Sequence, residues 1–155
     1  MRSMFAMLSL LASLAPVAAQ QPTNGLTSVV SNHPAAATID RLESAIKSKG
    51  MKIFTRIDHA AAAAEAGLSM PPATVVVFCN PAGGTPNFLR VPTLAIDLPL
   101  KALVWQDQGG KVFVTYNNGP YLIGTIFPRH GLTPPAEAAT GQENLLADIV
   151  RTTTQ

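Results

Sequence analysis

Asp58 and His59 are neighbours in the sequence, and residues of these types can perform acid–base chemistry. An imidazole assisted by a carboxylate is a frequent general base. Adjacent residues of a strand point to opposite faces, however, and Asp58 also has the side chain that caps a following helix. The pair therefore predicts either a catalytic or ligand-binding group, or a helix cap beside a packed histidine.

Further candidate residues stand near predicted turns. His130 is a candidate ligand-binding residue. It follows Arg129 near a predicted helix end, where a positive charge is favoured, so its alternative role is to cap that helix. Lys101 is the lone charge of an apolar strand and predicts either an ion pair with Asp97 or Asp58, or a charge guarding a sheet edge. We expect one small-molecule pocket, bordered by Asp58, His59, Asn80, Thr85, Asp97, Lys101, Tyr116 and His130.

Several other kinds of site lack their required spacing. No two histidines stand four apart on a predicted helix and no two cysteines three apart, so the sequence predicts no metal site and leaves the cofactor unknown. Gly83-Gly84-Thr85 lacks the Lys-Ser/Thr pair of a phosphate loop and predicts a turn before a helix. Cys79 is the single cysteine and predicts a buried small hydrophobe; the alternative is a reactive or metal-binding thiol.

The segments between these residues predict a single α+β domain. Strands are expected at 26–31, 51–58, 74–79, 100–106 and 111–117, the last two forming a hairpin. The hairpin and the short connections favour an antiparallel sheet. Helices are expected at 34–49, 59–66, from Thr85 through Leu89, at 120–132 with interruptions, and from 134 onward, where Ala138, Leu145 and Ile149 would be buried.

The first 19 residues predict an export signal. Arg2 precedes an apolar run that ends near Pro16, and small residues follow, so cleavage is expected between Ala19 and Gln20. A membrane anchor is the alternative, but spanning a bilayer takes about 20 apolar residues. We expect a periplasmic or secreted protein with no stable membrane insertion after cleavage.

The charge balance disfavours a nucleic-acid partner. The chain has 11 Lys and Arg against 9 Asp and Glu, a net charge of +2. Proteins that bind nucleic acids usually gather basic residues on one face. Here the densest group, Lys47, Lys49 and Lys52, surrounds a predicted helix end, where cations complement the helix dipole.

Five separated motifs occur in order along the chain. They are Arg56-Ile57-Asp58-His59, Asn80-Pro81 with Gly84-Thr85-Pro86, Asp97-Leu98-Pro99-Leu100-Lys101, Tyr116-Asn117, and Arg129-His130-Gly131-Leu132. Together they resemble the bacterial family known as domain of unknown function 302, over residues 20–132, with 133–155 as a helical extension. The resemblance implies a TATA-binding-protein-like half-fold, with helices packed mainly on one face of the sheet, and a homodimer. It implies no established reaction.

The chain departs from the family pattern at Cys79, at Ala82 and in the segment 123–128. Since no nucleophile accompanies the histidines, the sequence favours an exported small-ligand-binding module. One alternative is an enzyme in which His59 is the general acid or base, assisted by Asp58 or Lys101. The other is a structural envelope protein without a ligand.

Overall fold

A five-stranded antiparallel sheet organises the chain. The computed structural model describes residues 24–155, so the predicted export signal and its cleavage position lie outside the described residues. The strand order across the sheet is β1-β5-β4-β3-β2. The strands are β1 (Leu26–Val30), β2 (Lys52–Asp58), β3 (Ala73–Cys79), β4 (Leu100–Gln106) and β5 (Val112–Asn117).

Helices connect the strands and follow the last one. They are α1 (Ala35–Ser48), α2 (His59–Glu65), α3 (Pro81–Arg90), a 3-10 turn (Pro92–Ile96), α4 (Gly119–Tyr121), a π-helical segment (Leu122–Ile126), α5 (Phe127–Arg129) and α6 (Glu137–Thr154). The predicted α+β class is confirmed. The interrupted helix expected at 120–132 is a continuous helical path whose middle is π-helical.

The core lies between α1, α6 and one face of the sheet. Alternate residues of the strands, among them Val76 and Phe78, are fully buried there. Leu42 and Ile46 of α1 meet them, because residues four apart share one side of a helix. The buried members of this core are Leu42, Ala45, Ile46, Val76, Phe78, Leu94, Ala102, Val104, Val112, Val114, Tyr116, Leu122, Ile126, Leu132, Leu146, Ile149 and Val150. The prediction of helices mainly on one face is confirmed.

The opposite face, which we call the open face, carries the remaining strand residues. Trp105 stacks on Phe113 there, with ring centroids 4.8 Å apart. Leu26, Val30 and Ile57 are almost half exposed. This face is largely apolar, although Ser28, Thr115, Thr55 and Lys101 also lie on it. It lacks helical cover of the kind that α1 and α6 give the other face.

The even alternation expected for β2 is interrupted. The register shifts between Ile53, which pairs with Phe78, and Thr55, which pairs with Val77. Paired residues share a face, so Ile53 faces the core while Thr55 and Ile57 face the other way. The extra residue of a bulge reverses side-chain alternation, and the sequence pattern alone did not show it.

Among residues 24–155, no helix combines the length and the apolar character needed to cross a bilayer.

Candidate functional site

Asn80 sets the beginning of α3 at the carboxyl end of β3. Its Oδ1 accepts the N–H of Ala82 at 3.0 Å and that of Gly83 at 3.4 Å, while its carbonyl oxygen accepts the N–H of Gly84 at 2.9 Å. Pro81 stands at the first helical position, where its missing N–H costs nothing. The helix therefore starts before the expected Thr85.

Two related predictions were wrong for the same reason. Gly83 and Gly84 lie in the first turn of α3 instead of in a turn before it. Thr85 is an exposed residue inside the helix and not its cap. The Asn80-Pro81 pair was the available signal, because Asn is a strong N-cap and Pro is common directly after it.

A cavity of ≈ 230 Å³, which we call the α3–α6 cavity, opens beside this helix. It lies between the end of β3, the start of β4, α3, the π-helical segment and α6. Its lining residues are all uncharged: Met51, Cys79, Asn80, Gly83, Gly84, Asn87, Leu98, Leu100, Leu122, Ile123, Phe127, Gln142 and Leu145.

Gln142 of α6 lines both this cavity and a neighbouring cleft, and its side chain contains an unpaired polar atom. Its Nε2 is buried and finds no hydrogen-bond acceptor among the described residues. Buried polar groups are nearly always paired, so this unpaired donor is an exception among the buried side chains.

Cys79 contributes a protonated thiol to the wall. The residue is buried, as predicted, and its Sγ donates to the carbonyl oxygen of Asn80 at 3.5 Å. Burial raises the pKa of the thiol. Because the thiolate is the nucleophile, this shift opposes the alternative reading of Cys79 as a reactive thiol.

Asp97 and His130 meet at the outer side of the same region. Nε2 of His130 lies 2.6 Å from Oδ2 of Asp97, and Nδ1 lies 3.0 Å from Oγ1 of Thr93. The His130 side chain is only 6% exposed and that of Asp97 20%. Arg129 adds a second, exposed contact to Asp97 at 3.4 Å. We call these four residues the Asp97–His130 clamp.

The clamp favours the ionised form of Asp97. The hydrogen bond from His130 lowers the pKa of the Asp97 carboxyl most, and the charges of Arg129 and Lys101 lower it further. A charge-assisted hydrogen bond of this kind is shorter and stronger than a neutral one. The clamp thereby joins the 3-10 turn to the end of α5.

The clamp lies close to residues that line the α3–α6 cavity, although none of its own four residues lines it. Leu98, directly after Asp97, lines the cavity, and so does Phe127. The carbonyl oxygen of Phe127 accepts the N–H of His130 at 3.0 Å and that of Leu132 at 3.1 Å. The contact between Asp97 and His130 therefore fixes two walls relative to each other.

Within residues 24–155, Lys101 makes no direct ion pair and lies at no sheet edge, although its charge helps to lower the pKa of Asp97. Its Nζ donates to the carbonyl oxygens of Asp97 at 2.8 Å and Pro99 at 3.3 Å, so it pairs with backbone and not with a carboxylate. It also lies in β4, the central strand of the sheet, so it does not guard an edge. The carboxylate of Asp97 instead contacts His130, and the sequence did not predict this contact because the two residues are 33 positions apart.

Asp58 and His59 lie at the opposite end of the sheet. Asp58 pairs with Thr74 at the start of β3, whereas Cys79 ends that strand. A strand rises about 3.3 Å per residue, so these ends are about 17 Å apart. Oδ1 of Asp58 accepts the N–H of Ala61 at 3.0 Å, which is the predicted helix cap. The side chain of His59 is exposed.

Tyr116 lies inside the helix-covered face. Its hydroxyl donates to Oε1 of Glu143 at 2.9 Å, and Oε2 of Glu143 accepts the N–H of Gly119 at 2.7 Å. Burial and the Glu143 carboxylate raise the pKa of Tyr116 to about 12. A Cβ on Gly119 would lie 2.3 Å from the carbonyl oxygen of Ala139, so this approach of α4 to α6 requires glycine. Tyr116 thus anchors α6 to the sheet.

The predicted site residues therefore do not border one pocket. Asn80 lines the α3–α6 cavity, and Asp97, Lys101 and His130 gather beside it; Thr85, Tyr116 and the Asp58–His59 pair lie elsewhere. Sequence reasoning missed Gln142, Glu143 and Thr93, which resemble ordinary surface residues until the chain folds. Their roles depend on contacts across many residues. In residues 24–155, no cluster of three or more His, Cys, Asp or Glu side chains could hold a metal ion.

The arrangement of motifs and sheet matches a known family. The model of the family described as "Domain of unknown function DUF302" matches residues 27–151. The chain belongs to this family. The DUF302 match reaches well into α6, beyond the extent expected from the motifs.

A solved structure shares the fold. The crystal structure of an uncharacterized conserved DUF302 protein from Bacillus stearothermophilus superposes with a TM-score of 0.70 and 22% sequence identity. The match covers 84% of this chain and 99% of that one. At this identity the likeness concerns the fold.

Longer relatives contain a similar stretch. The chain is 42% identical over 116 residues to "Fluoride-specific ion channel FluC 1" of Brucella suis, which is 75% of this chain and 44% of that protein. It is also 42% identical over 116 residues to "Fluoride-specific ion channel FluC 1" of Brucella abortus, and that match covers 75% of this chain and 42% of that protein. This DUF302 chain thus spans less than half the length of these relatives.

Proposed function

We propose that this DUF302 protein is a small-ligand-binding module whose ligand occupies the α3–α6 cavity. The observation that carries the proposal is the buried, unpaired Nε2 of Gln142, because this residue lines an otherwise largely apolar cavity. Concave apolar sites with few polar groups are the usual form of small-molecule sites. The Asp97–His130 clamp supports this role, because it holds two of the walls in place.

Toluene is a suitable first probe, because a dry apolar cavity of about 150 Å³ already binds benzene. We expect calorimetry to detect toluene binding to the wild type. Ile123→Trp should abolish it by filling the cavity, since Ile123 lines the wall. Thr125→Trp, an exposed position in the same π-helical segment, is the matched control and should bind as the wild type does. Equal binding by both variants, or none by the wild type, contradicts the proposal.

Fluoride, the ion in the names of the Brucella relatives, is a poor candidate for this cavity. The lining residues carry no positive charge. The first N–H groups of a helix often bind anions. In α3, however, the N–H groups of Ala82 and Gly83 already donate to Asn80. A small, strongly hydrated anion would lose its water without compensation.

The open face supports a homodimer as a second part of the proposal. An exposed apolar patch of this kind commonly marks an interaction site, and a twofold pair with identical surfaces is the commonest assembly. Val30→Lys together with Ile57→Lys should convert a dimer to a monomer in sedimentation experiments. Leu89→Lys, an exposed apolar position on α3, is the control and should leave the dimer intact. A wild-type monomer at micromolar concentration contradicts this part.

Export to the periplasm or medium completes the proposal. It rests on the charged, apolar and small-residue regions at 1–19. The intact mass of protein recovered from outside the cytoplasm should equal that of a chain beginning at Gln20. A mass that includes residues 1–19 contradicts the predicted cleavage.

A further inference from the structure

The charge of the lining limits what the α3–α6 cavity can bind. Every residue that lines it is uncharged, and an ionised ligand group would leave water without a counter-charge. Arg90 lines a neighbouring cleft of ≈ 400 Å³ that shares part of the wall, but Arg90 does not line the cavity. The cavity therefore suits an uncharged molecule.

The hydrogen-bonding groups of the wall limit the ligand further. The N–H groups of Ala82, Gly83 and Gly84 are all bonded to Asn80, so the start of α3 has no donor left for an anion. Nε2 of Gln142 remains a buried donor without an acceptor. A ligand oxygen with a free lone pair would remove the cost of leaving this N–H unpaired.

The volume sets the size of the ligand. The cavity measures ≈ 230 Å³. Because a cavity of about 150 Å³ accommodates benzene, there is room for one ring with a short substituent.

We infer that the cavity takes an uncharged, mainly apolar molecule of about one ring in size that presents a carbonyl or ether oxygen to Nε2 of Gln142. This inference rests on the proposed ligand-binding function and adds the chemical class of the ligand. Burial of the apolar body supplies affinity, and the single hydrogen bond selects molecules with an acceptor at the correct end.

Acetophenone and α-methylstyrene test the acceptor, because they have nearly the same shape and differ by an oxygen in place of a methylene group. Gln142→Met removes the donor. Calorimetry should then show that the Kd of acetophenone rises about tenfold relative to the Kd of α-methylstyrene, a change of about 1.4 kcal/mol in binding free energy. Asn144→Met, an exposed amide of the same helix, should leave the ratio unchanged.

Benzoate and fluoride test the requirement for an uncharged ligand. Neither should bind at concentrations that saturate the wild type with acetophenone. The inferred ligand class is wrong if Gln142→Met leaves the ratio of the two Kd values unchanged, or if benzoate binds as tightly as acetophenone. In either case, toluene binding in the same samples would still support the proposed function. If toluene and both neutral ketone and alkene fail to bind, the proposed function and the inference fall together.

Discussion

The two ends of the sheet each hold an aspartate and a histidine, with opposite outcomes. Asp58 and His59 are adjacent in sequence, yet Asp58 caps α2 and the His59 side chain is exposed. Asp97 and His130 are 33 residues apart, yet their side chains meet at 2.6 Å. Only the second pair lies near residues that line the α3–α6 cavity, Leu98 and Phe127. Adjacency in sequence is therefore a poor guide to an acid–base pair, since a strand sends neighbours to opposite faces.

The difference also separates local from global stabilisation. α2 buries none of its residues, so its cap affects one short helix. The Asp97–His130 clamp joins the 3-10 turn, α5 and the walls of the α3–α6 cavity. Changes at the two ends should therefore differ in size and in how far they spread.

Of the changes at the two ends, His130→Ala should destabilise the protein most. It removes a nearly buried imidazole and both of its hydrogen bonds, so we expect a loss of about 2–3 kcal/mol in the free energy of unfolding. His59→Ala, the matched change at the other end, should cost less than about 0.5 kcal/mol because its side chain is exposed. Chemical denaturation measures both. Equal losses would erase the distinction between the two pairs.

The destabilisation caused by His130→Ala should depend on pH. The folded pKa of Asp97 is lowered from 3.8, so its contribution is fully present above that value and is lost as pH falls through the lower folded pKa. The Tm difference between wild type and His130→Ala should therefore stay constant down to about pH 4 and shrink as the pH falls further. Glu43 and Asp148, whose pKa values are also lowered, are unchanged in the variant and cancel in the difference. A difference that stays constant with pH would show that the Asp97 carboxylate does not contribute.

The smallest effect concerns the cap at the other end. Asp58→Ala removes the acceptor for the N–H of Ala61 and should cost α2 about 1 kcal/mol, whereas Asp58→Asn should cost only a few tenths. Hydrogen exchange of the α2 amides should report this, with α3 and α6 unaffected. Faster exchange across the whole domain would contradict a purely local role.

Much of the fold was predictable, because strand and helix periods are local. The apolar run before Cys79 and the hairpin at β4 and β5 were recognised from the sequence, as was the single α+β domain. The bulge in β2 and the start of α3 were not. One extra residue disturbs the strand period, and the cap Asn80 is followed by two glycines and Pro86, which do not have a helical pattern.

The candidate site was predictable only in part. Asn80, Asp97 and His130 were selected by type, and they do lie near the cavity. Gln142 was not, because a glutamine on an amphipathic helix has the sequence signature of a solvated residue. Its buried, unpaired state depends on α6 packing beside the π-helical segment, which no local pattern encodes.

Ligands should bind at the Asn80 end of the sheet and not at the Asp58 end. Amide chemical-shift mapping during an acetophenone titration distinguishes the two ends residue by residue. We predict that shifts concentrate at Gly83, Gly84 and the side-chain amide of Gln142, while Ala61 stays unchanged. Shifts confined to α2, with the Gln142 side chain unaffected, would contradict the claim.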